Sequence, residues 1–263
     1  GIMAEFIHFL SDPIVMGMVV SPMMGVIFAC VFSGFTGSVD NQAPVTIVQT
    51  RHVYINKTES RDRSATNTDD GMGLMIVFSV IFLYMLKAYA ESNYFITQYL
   101  QYFILGMLGF SITIIILSWL KGQYTSGDWW FYTFFPPTVF IISFFIAEMA
   151  QSNISNEIQR AASENSIYSF YFKSLTDYGR KFMLMQILGI LSLVLGLMIS
   201  FLFMVHYLSL MNLRSTSWMS NVWYFLGKHT LFASKKSSMV FIGILIFTSL
   251  ITVDKNMAVQ WIT

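Results

Sequence analysis

PIVMGMVVSPMMGVIFACVFSGF, residues 13–35, decides how the chain reads. No charged side chain interrupts its 23 positions. A helix of that length rises about 35 Å, enough to cross the roughly 30 Å of hydrocarbon in a bilayer. Gly17, Ser21, Gly25, Ala29 and Ser33 fall on every fourth position and make one narrow stripe of small side chains. In lipid such a stripe lets two helix backbones approach closely and gain dispersion contacts. Asp12 offers a capping acceptor, and Pro13 suits the first turn. The run reads as a membrane helix packed on another helix, within this chain, in a second copy or in a partner subunit.

The rest of the composition agrees. The chain has 263 residues, of which 55% are hydrophobic and 11% charged, with a mean hydropathy of +0.61. Ordinary soluble domains carry roughly 25% charged residues. The fold class expected is an all-α polytopic membrane protein, one integral membrane domain over residues 1–263. A net charge of +1 gives no basic field for nucleic acid. The lone cysteine, Cys30, sits in the first apolar run and has no partner in the chain for a disulfide. Residues 1–11 hold Glu5 and no Lys or Arg, so the first run reads as a retained helix rather than a secretory signal.

Working outward, residues 36–73 form the longest polar stretch. Within it, residues 45–55 are rich in β-branched side chains and lie between Pro44 and Asn56, which predicts an extended strand. A lone strand is unstable in water. Val45, Ile47, Val53 and Ile55 are therefore candidates for pairing with another chain by strand addition. Residues 57–73 mix both charges and read as a polar tether.

Five further apolar runs follow: 74–90, 95–120, 131–147, 182–210 and 239–253. With the first, these predict about six transmembrane helices. A hairpin at Ser92-Asn93-Tyr94 is expected to separate the second and third. Trp129-Trp130-Phe131-Tyr132 looks like an interfacial aromatic belt. Pro136 and Pro137 each remove a helix donor, predict a kink or break in the fourth run, and are gate candidates. Residues 150–181 predict an interfacial amphipathic segment, and 211–238 an interfacial loop that mixes aromatics with Lys228, Lys235 and Lys236. A second small-residue stripe, Ser192, Gly196 and Ser200, is the expected internal partner of the first helix.

Six spans put both termini on one side. If the termini lie outside, nine of the fifteen basic residues fall in cytoplasmic loops; the reverse orientation leaves six. The positive-inside rule favours the first arrangement.

Motifs for chemistry are missing from the sequence. There is no His-Glu-x-x-His, no Gly-x-Ser-x-Gly and no nucleotide loop. His8, His52, His206 and His229 lack metal-ligand spacing, and the 18 methionines are spread as packing filler. No Asp, Glu, Lys or Arg lies near the centre of a predicted span, which argues against proton coupling and charged substrates. The expected function is non-catalytic, with no cofactor and no metal: a membrane subunit or scaffold of an oligomeric or multi-protein assembly, with pore formation as a variant. Its expected partners are the lipid bilayer, further copies of itself or other membrane subunits, and its expected home the bacterial inner membrane. The alternative is a small-molecule transporter or channel that works without charge at mid-membrane.

Overall fold

The closest approach of two helices fixes the frame. A Cβ placed on Gly189 would lie 2.6 Å from Thr252 Oγ1 and 2.6 Å from Val253 Cγ2, so only glycine fits there. Gly196, seven residues on, faces Ile246 and Leu245. Residues 69–120, 122, 127–212, 220–233 and 235–256 are described by the computed structural model of the chain. The first apolar run with Gly17, Ser21, Gly25, Ala29 and Ser33 lies outside them, as does the strand expected over 45–55 with Val45, Ile47, Val53 and Ile55.

The described residues are helical, with no strand among them. In chain order they form α1 (Asp69–Leu120), α2 (Gly127–Asn153), α3 (Asn156–Glu164), a short π-helix (Ser169–Ser174), α4 (Asp177–Asn212), α5 (Ser220–His229) and α6 (Lys236–Val253). Four of these, α1, α2, α4 and α6, are long and apolar enough to cross a membrane. They read as an integral membrane protein. Cross-links near residues 93, 150, 186 and 253 mark one end of the bundle, and those near 118, 129, 207 and 230 mark the other. The second half of α1, then α2, α4 and α6 alternate in direction between them. The packing is densest between α4 and α6 and between α1 and α2.

Two expectations change here. The second and third apolar runs are not separated by a three-residue hairpin; they are one 52-residue element bent at Ser92, whose φ −112° and ψ 19° leave helical geometry. The apolar part of α1, Val77–Leu120, would stretch about 66 Å if straight, over twice the hydrocarbon thickness. The bend is what divides it. The Thr97 hydroxyl, just beyond the bend, bonds back to the Asn93 carbonyl at 2.7 Å and reaches the Tyr94 carbonyl at 3.2 Å. Such back-bonding tilts helices.

The second change concerns the prolines. Pro136 and Pro137 are buried, and α2 stays helical through both. Their missing N–H groups leave the carbonyls of Tyr132 and Thr133 without the usual amide partner. Neighbouring hydroxyls bond within the same helix: Thr133 donates to the Trp129 carbonyl at 2.5 Å, and Thr138 to the Phe134 carbonyl at 2.9 Å. The helix is therefore not broken at the prolines, as neighbouring helices allow in membranes.

The interfacial segment expected over 150–181 holds α3 and the π-helix. Ser155 caps α3, its hydroxyl accepting from the Ile158 amide at 3.4 Å. Ala162 and Phe170 are fully buried, so these short helices are seated on the bundle.

Candidate functional site

The polar side chains that matter gather at the two ends of the bundle, where helix termini leave backbone groups without intrahelical partners. At the first end, the carbonyl of Val253 closes α6. Asn153 Nδ2 from α2 donates to it at 2.6 Å, and Gln186 Nε2 from α4 donates at 3.0 Å. A carbonyl oxygen has two lone pairs, and both are used. Asn153 Nδ2 also lies 3.4 Å from Gln186 Oε1, which links the two amides. Gln186 is fully buried. Asn93, also fully buried, donates to the Ala150 carbonyl at 3.2 Å and ties the bend of α1 to α2. Four helices are thus locked at one level by three amide side chains. We call this the amide end.

At the other end the links are hydroxyls and rings. Trp129 Nε1 donates to Ser118 Oγ at 2.5 Å, and Ser118 Oγ lies 2.9 Å from the Tyr207 hydroxyl. One oxygen joins α1, α2 and α4. Beside it, Tyr132 stacks on Phe203 at 5.1 Å and on Tyr207 at 6.1 Å between ring centres. Ser209 Oγ donates to the Trp223 carbonyl at 2.6 Å, and a Cβ on Gly227 would meet Ser209 Oγ at 2.7 Å, so α5 lies hard against α4. His206 Nδ1 is 3.0 Å from Thr230 Oγ1, whose own hydrogen goes to the Leu226 carbonyl at 2.6 Å. The histidine nitrogen is therefore the donor of that pair. This is the aromatic end.

Of the residues singled out in the sequence, Ser192, Gly196 and Ser200 lie on α4, with Ser192 and Ser200 buried. Gly196 meets α6. The described partner of this face is the short last helix, and Gly189, which the four-residue spacing does not include, makes the tightest contact. His206, near the end of the fifth apolar run, is buried against the turn that follows α5. The belt at 129–132 is split: Trp130 and Phe131 are exposed, whereas Trp129 is buried in the cross-link. Asn153 begins an Asn-Ile-Ser sequon, yet its side-chain nitrogen is engaged in the amide lock.

Between the two ends the bundle holds no charge. Residues 94–117, 130–147, 182–205 and 237–253 contain no Asp, Glu, Lys or Arg. Among the described residues no three His, Cys, Asp or Glu side chains are grouped to hold a metal ion. Chemically, the arrangement can fix helix against helix. Comparison with protein-family models, with curated proteins and with solved structures finds no match to this chain.

Proposed function

We propose that this chain is a non-catalytic integral membrane subunit or scaffold that works inside an oligomeric or multi-protein assembly, set in a bacterial inner membrane with its termini outside. The observation that supports it most is the first half of α1. Met75, Val77, Phe78, Val80, Ile81 and Tyr84 are all exposed, and they spread over about 220° of the helix circumference. A helix with so wide an exposed apolar arc needs apolar surroundings over most of its surface. The bundle's own buried core, by contrast, begins at Leu86. A six-span reading counts this half-helix and the run at 13–35 as separate crossings. The small stripe at Gly17, Ser21, Gly25, Ala29 and Ser33 supplies a complementary surface for close packing, and the 45–55 stretch supplies strand addition outside the membrane.

The test is particle mass in mild detergent, after subtracting bound detergent. The wild-type particle exceeds the 30.1 kDa of one chain. Gly25→Leu, or Ala29→Leu, moves it to smaller mass. A wild-type particle of one chain alone, with nothing co-purifying, ends this reading. A runner-up, a small-molecule transporter or channel gated in α2, draws on the freed carbonyls below Pro136 and Pro137. It expects solute uptake into vesicles that drops when both prolines become alanine.

A further inference from the structure

The turn and short helix at the aromatic end form a surface of specific composition. Along α5 and into the next turn, Trp223, Gly227, Thr230 and Ala233 are buried against the bundle. The outward residues include Tyr224, Phe225, Lys228, Leu231, Phe232 and Lys235, with Asn221, Val222 and His229 beside them and Lys236 opening α6. An amphipathic helix facing water would carry mixed polar side chains on that face. This one carries aromatic rings and lysines, the composition of a helix lying at the headgroup level.

The shelf is held in place. Ser209, Gly227 and the His206–Thr230 pair fasten α5 to α4, and Ser238 Oγ donates to the Phe232 carbonyl at 2.7 Å across the turn into α6. His229 is pinned too, its Nδ1 2.9 Å from the Phe225 carbonyl and its ring 4.0 Å from that of Phe225. The lysines are different: all three are exposed, and no carboxylate pairs with them among the described residues.

The opposite end makes the contrast. Lys87, Arg160, Lys173, Arg180, Lys181 and Lys255 are matched there by Glu91, Glu148, Glu157, Glu164, Asp177 and Asp254. Arg180 is bonded to Asp177. In the sequence of two connections at the aromatic end, 121–128 and 211–236, five bases stand against one acid, Asp128; the polar stretch 36–73, which the six-span reading puts on the same side, adds four bases and five acids.

We propose that this shelf binds the headgroups of anionic phospholipids. Lys228, Lys235 and Lys236 meet the lipid phosphates, and Tyr224, Phe225, Leu231 and Phe232 sink toward the acyl boundary. Lysine stems lie along apolar surface while their ammonium groups reach the charged layer. Each lysine near an anionic surface is worth about fivefold in lipid partitioning at physiological salt. The aromatic end therefore sits in the leaflet richer in acidic lipid.

The experiment uses the full chain in a neutral detergent, titrated with phosphatidylglycerol or with phosphatidylcholine of the same chains. Bound lipid is counted by native mass spectrometry. The expected result is a preference for phosphatidylglycerol of at least about tenfold. It falls at least fivefold in K228Q/K235Q/K236Q, returns in the corresponding triple arginine variant, and is unchanged in K173Q/K255Q at the other end. Thermal melting in detergent confirms that all variants are folded. Equal uptake of the two lipids overturns the proposal, as does equal loss in the variants of both ends. Displacement of the lipid by soluble glycerol phosphate, or by an acidic peptide, at matched concentration also overturns it, because the acyl chain would then play no part.

Discussion

The two ends of the bundle solve one problem in different ways. At the amide end, helix backbones come close: Gly189 admits Thr252 and Val253, and Asn153 and Gln186 converge on a single backbone carbonyl. At the aromatic end, rings fill the space, and Ser118 ties Trp129 to Tyr207 among them. The first strategy depends on position to a fraction of an ångström. The second depends on contact area, which falls away gradually when a side chain shifts. The amide end is therefore the brittle half of the bundle. The aromatic end tolerates change and can serve the membrane surface, with Trp130, Tyr224 and Phe225 turned outward.

The largest expected effect breaks the brittle end. Gly189→Ala places a methyl group on Thr252 Oγ1 and Val253 Cγ2, and the α4–α6 seam must open. Overpacking of this kind costs about 2–3 kcal/mol. Gly196→Ala should cost less, because the nearest atom, 3.0 Å away, is the flexible end of Ile246. Gly243→Ala, with nothing within 4 Å, should leave stability unchanged. Unfolding midpoints in mild detergent rank the three. A Gly189→Ala variant as stable as Gly243→Ala would remove the seam as the organising contact.

Next in size is the shared carbonyl. Asn153→Leu or Gln186→Leu alone leaves Val253 O with one amide donor, and each should cost about 0.6 kcal/mol, as for typical hydrogen bonds between membrane helices. The double variant strips both donors from a buried helix terminus. It should cost about 2 kcal/mol, the penalty for an unsatisfied buried acceptor. The excess over the sum is the signature, read from a double-mutant cycle of unfolding free energies. Strictly additive losses would show that the two amides act separately.

These two residues also show where the sequence stops being readable. The apolar runs of α2, α4 and α6 are visible because lipid demands long uncharged helices. The aromatic and lysine residues carried by α5 and the turn after it are visible as well, because they cluster locally in the sequence. Asn153, Gln186 and Val253 lie far apart in sequence and meet only in the fold, so no motif announces them. Gly189 escapes because the seam follows steps of seven, from Gly189 to Gly196, rather than steps of four. Ser92 is a polar residue between two apolar runs, which fits a hairpin and a bend equally well. Beside the bend, Asn93 bonds to Ala150, 57 residues away, a contact that local sequence does not announce.

The smallest expected effect tests the tolerant end. Ser118→Ala removes the oxygen shared by Trp129 and Tyr207 but leaves every ring in place. If area carries this end, stability should fall by about 1 kcal/mol, at roughly 0.6 kcal/mol for each of the two interhelical hydrogen bonds lost. Trp129 fluorescence would report the environment only against a background of five other tryptophans, so unfolding midpoints are the better measure. Shortening a ring instead, Phe203→Ala, removes the face on which Tyr132 stacks, and should cost more than the loss of the hydroxyl. Reversal of that order would mean that Ser118 is a lock as strict as the one formed by Asn153 and Gln186, and that both ends hold their helices in the same way.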